Sequence, residues 1–198
     1  MTAQSSVAQS TDLGPSISCF PSGKQFFINA PTFDIEDIAH ALGMVCRYNG
    51  HSRHFYSVAE HSVIVSLLMK ELKLGDPTEG LLHDVAEAYI PDMVSGWKNE
   101  CAGWRAFEAR VEGPMRDHFA LPPTKTFGCS QADRIAFYLE WHYLKVVPHP
   151  SHFHDDQQDQ EPLRRAARKL IDAGWRTLNL YPAEATKAFL KQWNHLRG

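Results

Sequence analysis

The stretch GLLHDVAEAYIPD, residues 80–92, places a histidine and an aspartate side by side after two leucines and adds a glutamate three residues later. Its apolar residues recur at the period of an α-helix, which predicts a helix over about 77–90 that ends before a proline. On a helical wheel, His83, Asp84 and Glu87 fall in the arc opposite the apolar residues. Such an arc is typical of a solvated helix face and equally of a cluster of reactive groups. This segment alone leaves both interpretations open.

Helical periodicity continues on both sides of this stretch. Further helices are predicted over about 34–46, 57–73, 102–119, 130–146, 161–178 and 182–196. Ser57 and Glu60 match the S-x-x-E capping box at the start of the second of these helices. The remaining segments predict a short strand, a loop and an exposed connection, over 24–29, 47–55 and 148–162 respectively. The sequence therefore predicts an all-α fold, with one domain over 31–198 and a short irregular N-terminal arm over 1–30.

The composition limits the classes of function. A chain of 198 residues with 43% hydrophobic side chains can bury one sizeable core. Its 20 Lys and Arg against 23 Asp and Glu give a formal charge of -3, which offers no general attraction to a nucleic acid polymer or a membrane. The four cysteines form no C-x-x-C pair, and neither a secretory signal nor an apolar run of roughly 20 residues is visible. A reducing cytoplasm is the expected location.

The helix predicted over 57–73 carries a histidine on its apolar side. The wheel places His61 among isoleucine, valine and leucine side chains that should face the core. A buried imidazole needs a partner, which is commonly a backbone carbonyl. Imidazole nitrogen is also a frequent metal ligand, and the His83–Asp84 pair could complete a mixed nitrogen and oxygen site if a further element supplied an oxygen.

Asp133 is the candidate for that oxygen. It lies near the start of the helix predicted over 130–146, with apolar residues on either side of it on the wheel. Ser130 and Asp133 also have the spacing of a capping box, and such a carboxylate can simply complete the helix N-terminus. Capping is the stronger interpretation for Asp133 alone, whereas the order His, His-Asp, Asp across three helices favours a metal site.

That order of residues resembles the HD superfamily of metal-dependent phosphohydrolases. The resemblance covers about residues 34–145, and DIEDIAHALGMVCRYNGHSRHFYSVAEHS (34–62) and GLLHDVAEAYIPDMVSGWK (80–98) are similar to the branch that contains bacterial 5′-deoxynucleotidases. It implies an HD-domain helical bundle that binds one divalent metal ion. The implied ligands are His61, His83, Asp84 and Asp133. Two imidazoles and two carboxylates suit Co²⁺, Mn²⁺, Fe²⁺ or Zn²⁺ better than Mg²⁺, which favours an all-oxygen shell.

The same resemblance assigns roles around the ion. Glu87 is the implied general acid or base, although it could be a solvated glutamate. Arg47 is the implied phosphate ligand, and Tyr48 stands where these nucleotidases often have tryptophan. Lys98 is an implied phosphate contact and Asp92 an implied acceptor for the sugar 3′-hydroxyl, whereas the alternatives are an exposed lysine and a turn aspartate.

The loop over 47–55 bears on the substrate. Arg53 and His54 could line the entrance for a polyphosphate, or they could be surface residues without a role in binding. The favoured substrate is a (deoxy)nucleoside 5′-monophosphate, with dNTP hydrolysis to tripolyphosphate as the alternative and a non-catalytic nucleotide-binding regulator as a lesser one. The resemblance also implies a homo-oligomer. The apolar residues of the last two helices could serve its contact or the core, and they are Trp175, Leu178, Phe189, Leu190 and Trp193.

Overall fold

A computed structural model describes residues 12–93, 95–145 and 161–198, and within these ranges the chain is mostly helical. The helices are α1 (Ile35–Met44), α2 (Val58–Glu71), α3 (Pro77–Leu82), α4 (Ser95–Glu100), α5 (Trp104–His118), α6 (Phe127–Leu144), α7 (Glu161–Asp172) and α8 (Pro182–Arg197). Two short 3-10 turns are added, Arg47–Gly50 and Val85–Ala88. The all-α prediction is confirmed. Within the described ranges, none of these helices combines the length and the apolar character needed to cross a membrane.

Side-chain caps fix where the helices that carry the site begin. Ser57 accepts a hydrogen bond from the Glu60 backbone N–H at 3.1 Å, at the start of α2. Asp76 accepts from the Thr78 N–H at 2.8 Å, at the start of α3. Each cap satisfies a backbone donor that the first turn of a helix leaves without an intrahelical partner. The predicted starts of these two helices are therefore confirmed.

The predicted capping box at Ser57 is only half formed. The Glu60 side chain does not return to the Ser57 N–H but accepts three backbone N–H bonds from Leu178, Asn179 and Leu180, at 2.7 to 3.0 Å. The Glu60 half of the predicted box is wrong, because a fully buried carboxylate gains more from three aligned donors than from one. Glu60 thereby attaches the loop before α8 to the start of α2.

The helix predicted over 77–90 is shorter than expected. Helix α3 ends at Leu82, and after His83 and Asp84 the chain continues as the 3-10 turn Val85–Ala88. Of the two interpretations left open for this stretch, the solvated face does not hold for His83 and Glu87, which are only 5% and 9% exposed. A helical wheel extended through His83 cannot place these groups, since the helical register breaks there.

Helix α2 lies at the centre of the fold. Its residues from Val58 to Ser66 are all buried, and it contacts α1, α3, α6 and α8. One apolar cluster joins it to α1, α3 and α8, and another joins it to α6 and α7. A helix surrounded on all sides buries every face, so a polar group in its middle must find its partners inside the protein.

The N-terminal arm packs on the 3-10 turn that carries Glu87. Strands β1 (Ser16–Ser18) and β2 (Gln25–Phe27) pair antiparallel, with Ser16 opposite Phe27. The Phe26 ring stacks on Tyr89 with centroids 4.0 Å apart, in a cluster that also contains Ile90. The strand predicted over 24–29 is thus confirmed. Residues 1–11 of the arm, and 146–160 of the connection predicted over 148–162, lie outside the described residues.

The C-terminal apolar residues mostly serve the core. Phe189 is fully buried, Trp193 is 8% exposed, and Leu190 packs against the same cluster. Trp175 packs against the α6–α7 cluster, whereas Leu178 is 44% exposed. The core interpretation therefore accounts for four of these five side chains.

Candidate metal centre

Four of the predicted side chains converge at one point inside the bundle. The Nε2 atoms of His61 and His83 are 3.2 Å apart. Asp133 Oδ1 lies 3.1 Å from His61 Nε2 and 3.9 Å from His83 Nε2. Asp84 Oδ2 lies 3.5 and 3.0 Å from the same two nitrogens. Helix α2, the end of α3 and helix α6 therefore each deliver donor atoms to a single small volume.

Each histidine uses its other ring nitrogen to fix its tautomer. His61 Nδ1 lies 2.5 Å from a carboxylate oxygen of Glu140, and His83 Nδ1 lies 2.8 Å from the Gly80 carbonyl oxygen. Both partners only accept hydrogen bonds, so both Nδ1 atoms must carry a proton. In the neutral rings, the two Nε2 atoms then present lone pairs to each other and to the carboxylates. Four electron donors facing one another need a cation between them.

The donor set suits a divalent transition metal ion. Nitrogen and oxygen donors in equal number favour the first-row metals over Mg²⁺, and an outer hydrogen bond on each imidazole is the usual arrangement of metal-ligating histidines. His61, His83 and Asp133 each offer a ligand atom within 4.8 Å of the others. Asp84 Oδ2 adds a fourth donor. The residues present therefore match the implied ion.

Without a metal ion, a proton is the available cation. Burial and the Arg47 charge act to lower the pKa of His61, but the carboxylates of Glu140 and Asp133 outweigh them and raise it to about 9. Without a metal ion, the protonated His61 imidazole therefore balances part of the carboxylate charge. Any dication that binds must displace this proton.

Two cationic side chains flank the ligand carboxylates. Arg47 Nη1 lies 3.3 Å from Asp84 Oδ2, and Lys125 Nζ lies 2.5 Å from Asp133 Oδ2. Burial alone would raise the pKa of Asp133, but Lys125 and His61 hold it well below its ordinary value. Asp133 therefore stays ionised, with one oxygen turned to the histidines and the other to the lysine.

Helix α6 is anchored at its N-terminus, where the capping interpretation of Asp133 is wrong. The helix begins at Phe127 and its cap is Thr126, so Asp133 lies well inside it. The buried Glu79 of α3 accepts from the Thr126 N–H at 2.8 Å and from its Oγ1 at 2.6 Å. At Gly128, a β-carbon would lie 1.7 Å from the Leu74 carbonyl oxygen. The depth of α6 in the bundle, and hence the place of Asp133, depends on both contacts.

Glu87 is buried beside the centre with one carboxyl oxygen free. Its Oε2 has no hydrogen-bond partner among the described residues. Burial, together with the charges of Asp84 and Asp92, raises the pKa of Glu87 well above its ordinary value. An unpartnered buried carboxyl group of raised pKa is typical of an acid or base that acts on a ligand.

Asp92 and Lys98 lie on the chain that follows Glu87. Asp92 is partly buried, and burial together with the Asp84 charge raises its pKa. Lys98 of α4 binds Glu108 of α5 at 2.7 Å, so its ammonium already has a carboxylate partner. Both residues remain candidates for substrate contact.

The 47–55 segment divides into an inner and an outer part. Tyr48 donates its hydroxyl hydrogen bond to Glu140, beneath the metal centre. Arg53 and His54 are exposed, and Arg53 Nε donates to the Lys145 carbonyl oxygen at 3.2 Å, beyond the end of α6. Only the inner part reaches the ligand side chains through contacts that the structure describes.

Sequence reasoning missed Glu140, Lys125 and Glu79. Glu140 follows Asp133 by about two helical turns, so both lie on one face of α6. That spacing, with Leu139 as an apolar neighbour, is a signal for a buried carboxylate. Lys125 and Glu79 carry no such signal, because their partners come from other elements.

The chain is similar to two bacterial proteins. It is 35% identical to the uncharacterized protein YfdR of Escherichia coli over 122 residues, which are 60% of this chain and 67% of YfdR. It is 34% identical to an uncharacterized protein of Rhodobacter capsulatus over 111 residues, which are 51% of this chain and 57% of that relative. No family model matches the chain. With two thirds of YfdR covered at this level of identity, the chain belongs to the same protein family as YfdR.

Proposed function

We propose that this protein is a divalent-metal-dependent phosphohydrolase that removes phosphate from a (deoxy)nucleoside 5′-monophosphate. The observation that carries the proposal is the pair of histidine Nε2 lone pairs that face two carboxylate oxygens. The sequence resemblance to HD-superfamily nucleotidases supports the choice of a nucleotide. A homo-oligomeric state and a cytoplasmic location belong to the same proposal.

His61, His83, Asp84 and Asp133 would hold the ion. When bound, a divalent ion supplies Lewis acidity, which polarises a phosphoryl oxygen and lowers the pKa of bound water towards about 7. The chain prepares for this chemistry by keeping both carboxylates ionised and both Nδ1 positions protonated. Little reorganisation is then needed when the ion arrives.

Arg47 and Glu87 act on the substrate. The Arg47 side chain is 13% exposed and its Nη1 lies 3.3 Å from Asp84 Oδ2, so the guanidinium stands beside a candidate metal ligand, where it would donate to a phosphate oxygen. Water oxygen adds to phosphorus while the ester P–O bond breaks. Glu87 gives its proton to the leaving 5′-oxygen and regains one from the attacking water, so the products are a nucleoside and inorganic phosphate.

The alternative is release of tripolyphosphate from a dNTP. That reaction needs cations along the length of a polyphosphate. Arg53, the nearest candidate in sequence, directs its Nε to a backbone carbonyl, while Arg47 and Lys125 lie against the ligand carboxylates. This arrangement favours a single phosphate. A non-catalytic regulator would bind the ion and a nucleotide without releasing either product.

The test is hydrolysis of a nucleotide panel by the full chain after chelator treatment and return of Mn²⁺ or Co²⁺. Chromatography of the products separates inorganic phosphate from tripolyphosphate. We expect phosphate from monophosphates, and activity only after metal is returned. Tripolyphosphate would replace the leading proposal with the alternative, and metal binding without any product would favour the regulator.

Two variants separate the assigned roles. Asp84→Asn should lose metal and turnover together, whereas Glu87→Gln should retain metal but lower kcat by about 10² to 10⁴. Glu71→Gln, an exposed carboxylate on α2, is the matched control and should change neither. Equal loss of metal in the Asp84 and Glu87 variants would contradict this division.

A further inference from the structure

Helix α6 holds the His61 imidazole at both of its ring nitrogens. Asp133 Oδ1 lies 3.1 Å from Nε2, and Glu140 Oε1 lies 2.5 Å from Nδ1. About two helical turns separate the two carboxylates on one face of the helix. The side chains of His61 and Glu140 are both fully buried, so water does not screen their interaction.

The two histidines of the centre differ in the partner of Nδ1. His83 donates to a neutral backbone carbonyl, whereas His61 donates to a carboxylate. An anionic acceptor fixes the proton on Nδ1 more strongly and increases the electron density at Nε2, which makes that nitrogen a better metal ligand. His61 is therefore the ligand whose donor strength depends on another side chain.

Glu140 also holds the turn that precedes α2. Tyr48 donates its hydroxyl hydrogen to Oε2, and Arg47 Nε lies 3.7 Å from the same oxygen. Tyr48 and Asn49 have φ angles of 58° and 51°, in the left-handed region that costs roughly 1–3 kcal/mol for such residues. The contact with Glu140 helps to keep the turn in this conformation, from which Arg47 reaches Asp84.

We propose that Glu140 is a positioning residue that sets the metal affinity through His61 and the phosphate affinity through Arg47. Its carboxylate is the one described group in contact with both the outer nitrogen of a ligand and the guanidinium. The metal part of the inference depends only on the donor set, and the phosphate part rests on the proposed function.

The primary test is Glu140→Gln, which keeps the shape and removes the charge. The glutamine oxygen can still accept from His61 Nδ1, but its amide N–H group opposes the Arg47 guanidinium. We expect the dissociation constant for Mn²⁺, measured by calorimetry, to rise by about 10-fold to 100-fold. At saturating Mn²⁺, KM for the monophosphate should rise by about fivefold or more, because Arg47 loses a carboxylate partner.

The control is Tyr56→Phe, which removes a 2.9 Å hydrogen bond to Glu140 Oε1, the oxygen that contacts His61, but leaves the carboxylate charge in place. A loss of metal affinity of about threefold or less is expected for it. Glu140→Asp keeps the carboxylate charge on a shorter side chain, so its affinity for Mn²⁺ should lie between those of Glu140→Gln and the wild-type chain. If Glu140→Gln does not fold, the Mn²⁺ affinities of Glu140→Asp and Tyr56→Phe are compared instead. Glu140→Asp should lose more affinity than Tyr56→Phe, and an equal loss would overturn the positioning role.

The outcomes separate this inference from the proposed function. Wild-type affinity for Mn²⁺ in folded Glu140→Gln, or an equal loss in Tyr56→Phe, would overturn the positioning role while leaving the hydrolase proposal intact. An unchanged KM would overturn the link to Arg47. If the wild-type chain binds Mn²⁺ but releases no phosphate, the hydrolase proposal fails and the effect on metal affinity still decides the role of Glu140.

Discussion

Metal binding should release about one proton per ion near pH 7. The metal-free chain carries that proton on His61, because the pKa of His61 is raised from 6.5 to about 9. The ion must displace it, so the apparent affinity should rise about tenfold per pH unit below pH 9, or about 100-fold between pH 6.5 and 8.5. The perturbation is therefore a change of pH at constant ionic strength.

The same proton gives the stability of the metal-free chain a defined direction with pH. Because the pKa of His61 is raised in the folded state, its protonation stabilises the folded chain fully below about pH 6.5. This contribution is lost as the pH rises to about 9. The shift corresponds to roughly 3 kcal/mol for this fully buried group. The Tm of the metal-free chain should thus fall over this interval, and excess Mn²⁺ should remove the decline because the bound ion replaces the proton.

Calorimetry in two buffers of different ionisation enthalpy measures the proton release directly. The observed heat should differ between the buffers by the difference in ionisation enthalpy times about one proton per ion at pH 7. Equal heats in the two buffers would contradict this proton release, because His61 would then be neutral before the ion binds. An affinity independent of pH from 6.5 to 8.5 would refute it as well.

Two substitutions test the framework around the site, and a third tests the phosphate contact. Glu79→Gln should lower the free energy of unfolding, measured by urea titration, by about 3 kcal/mol, because the buried carboxylate charge and one acceptor for Thr126 are lost. An unchanged urea midpoint would contradict the role of Glu79 in anchoring helix α6. Gly128→Ala should destabilise by several kcal/mol, about 3 or more, because its β-carbon meets backbone, whereas Gly96→Ala has open space and should change stability by less than about 1 kcal/mol. Arg47→Lys should raise KM by roughly tenfold at nearly constant kcat, as steady-state kinetics will show, and unchanged kinetics would remove Arg47 from the site.

Some features of the site could be predicted from local sequence. His61 lies on the apolar side of a helix, which pointed to a polar group in the core, whereas the wheel of His83 and Asp84 left a solvated face and a cluster of reactive groups both open. Asp133 was harder to assign, because Ser130 three residues earlier suggested a cap. The helix starts before Ser130, at a threonine cap that the pattern did not favour.

Other features depended on contacts that no local pattern contains. Glu60 completes a capping box by its spacing, yet it binds the backbone of the distant loop before α8. The predicted long helix from residue 77 ends at Leu82, because the chain turns there to bury His83 and Glu87. Lys125 shows no signal in the sequence, since its role follows from the place of Asp133 on the next helix.

Local sequence was enough to predict the helical class and to select the four candidate ligands, because periodicity, caps and residue chemistry act over one or two helical turns. Which atoms of those ligands meet depends on long-range packing. The partners of the two Nδ1 atoms, one the Glu140 carboxylate and the other a backbone carbonyl, leave both Nε2 lone pairs facing the carboxylates. That orientation depends on the packing of α2 against α3 and α6, which brings distant segments into contact and so cannot be seen in the order of residues.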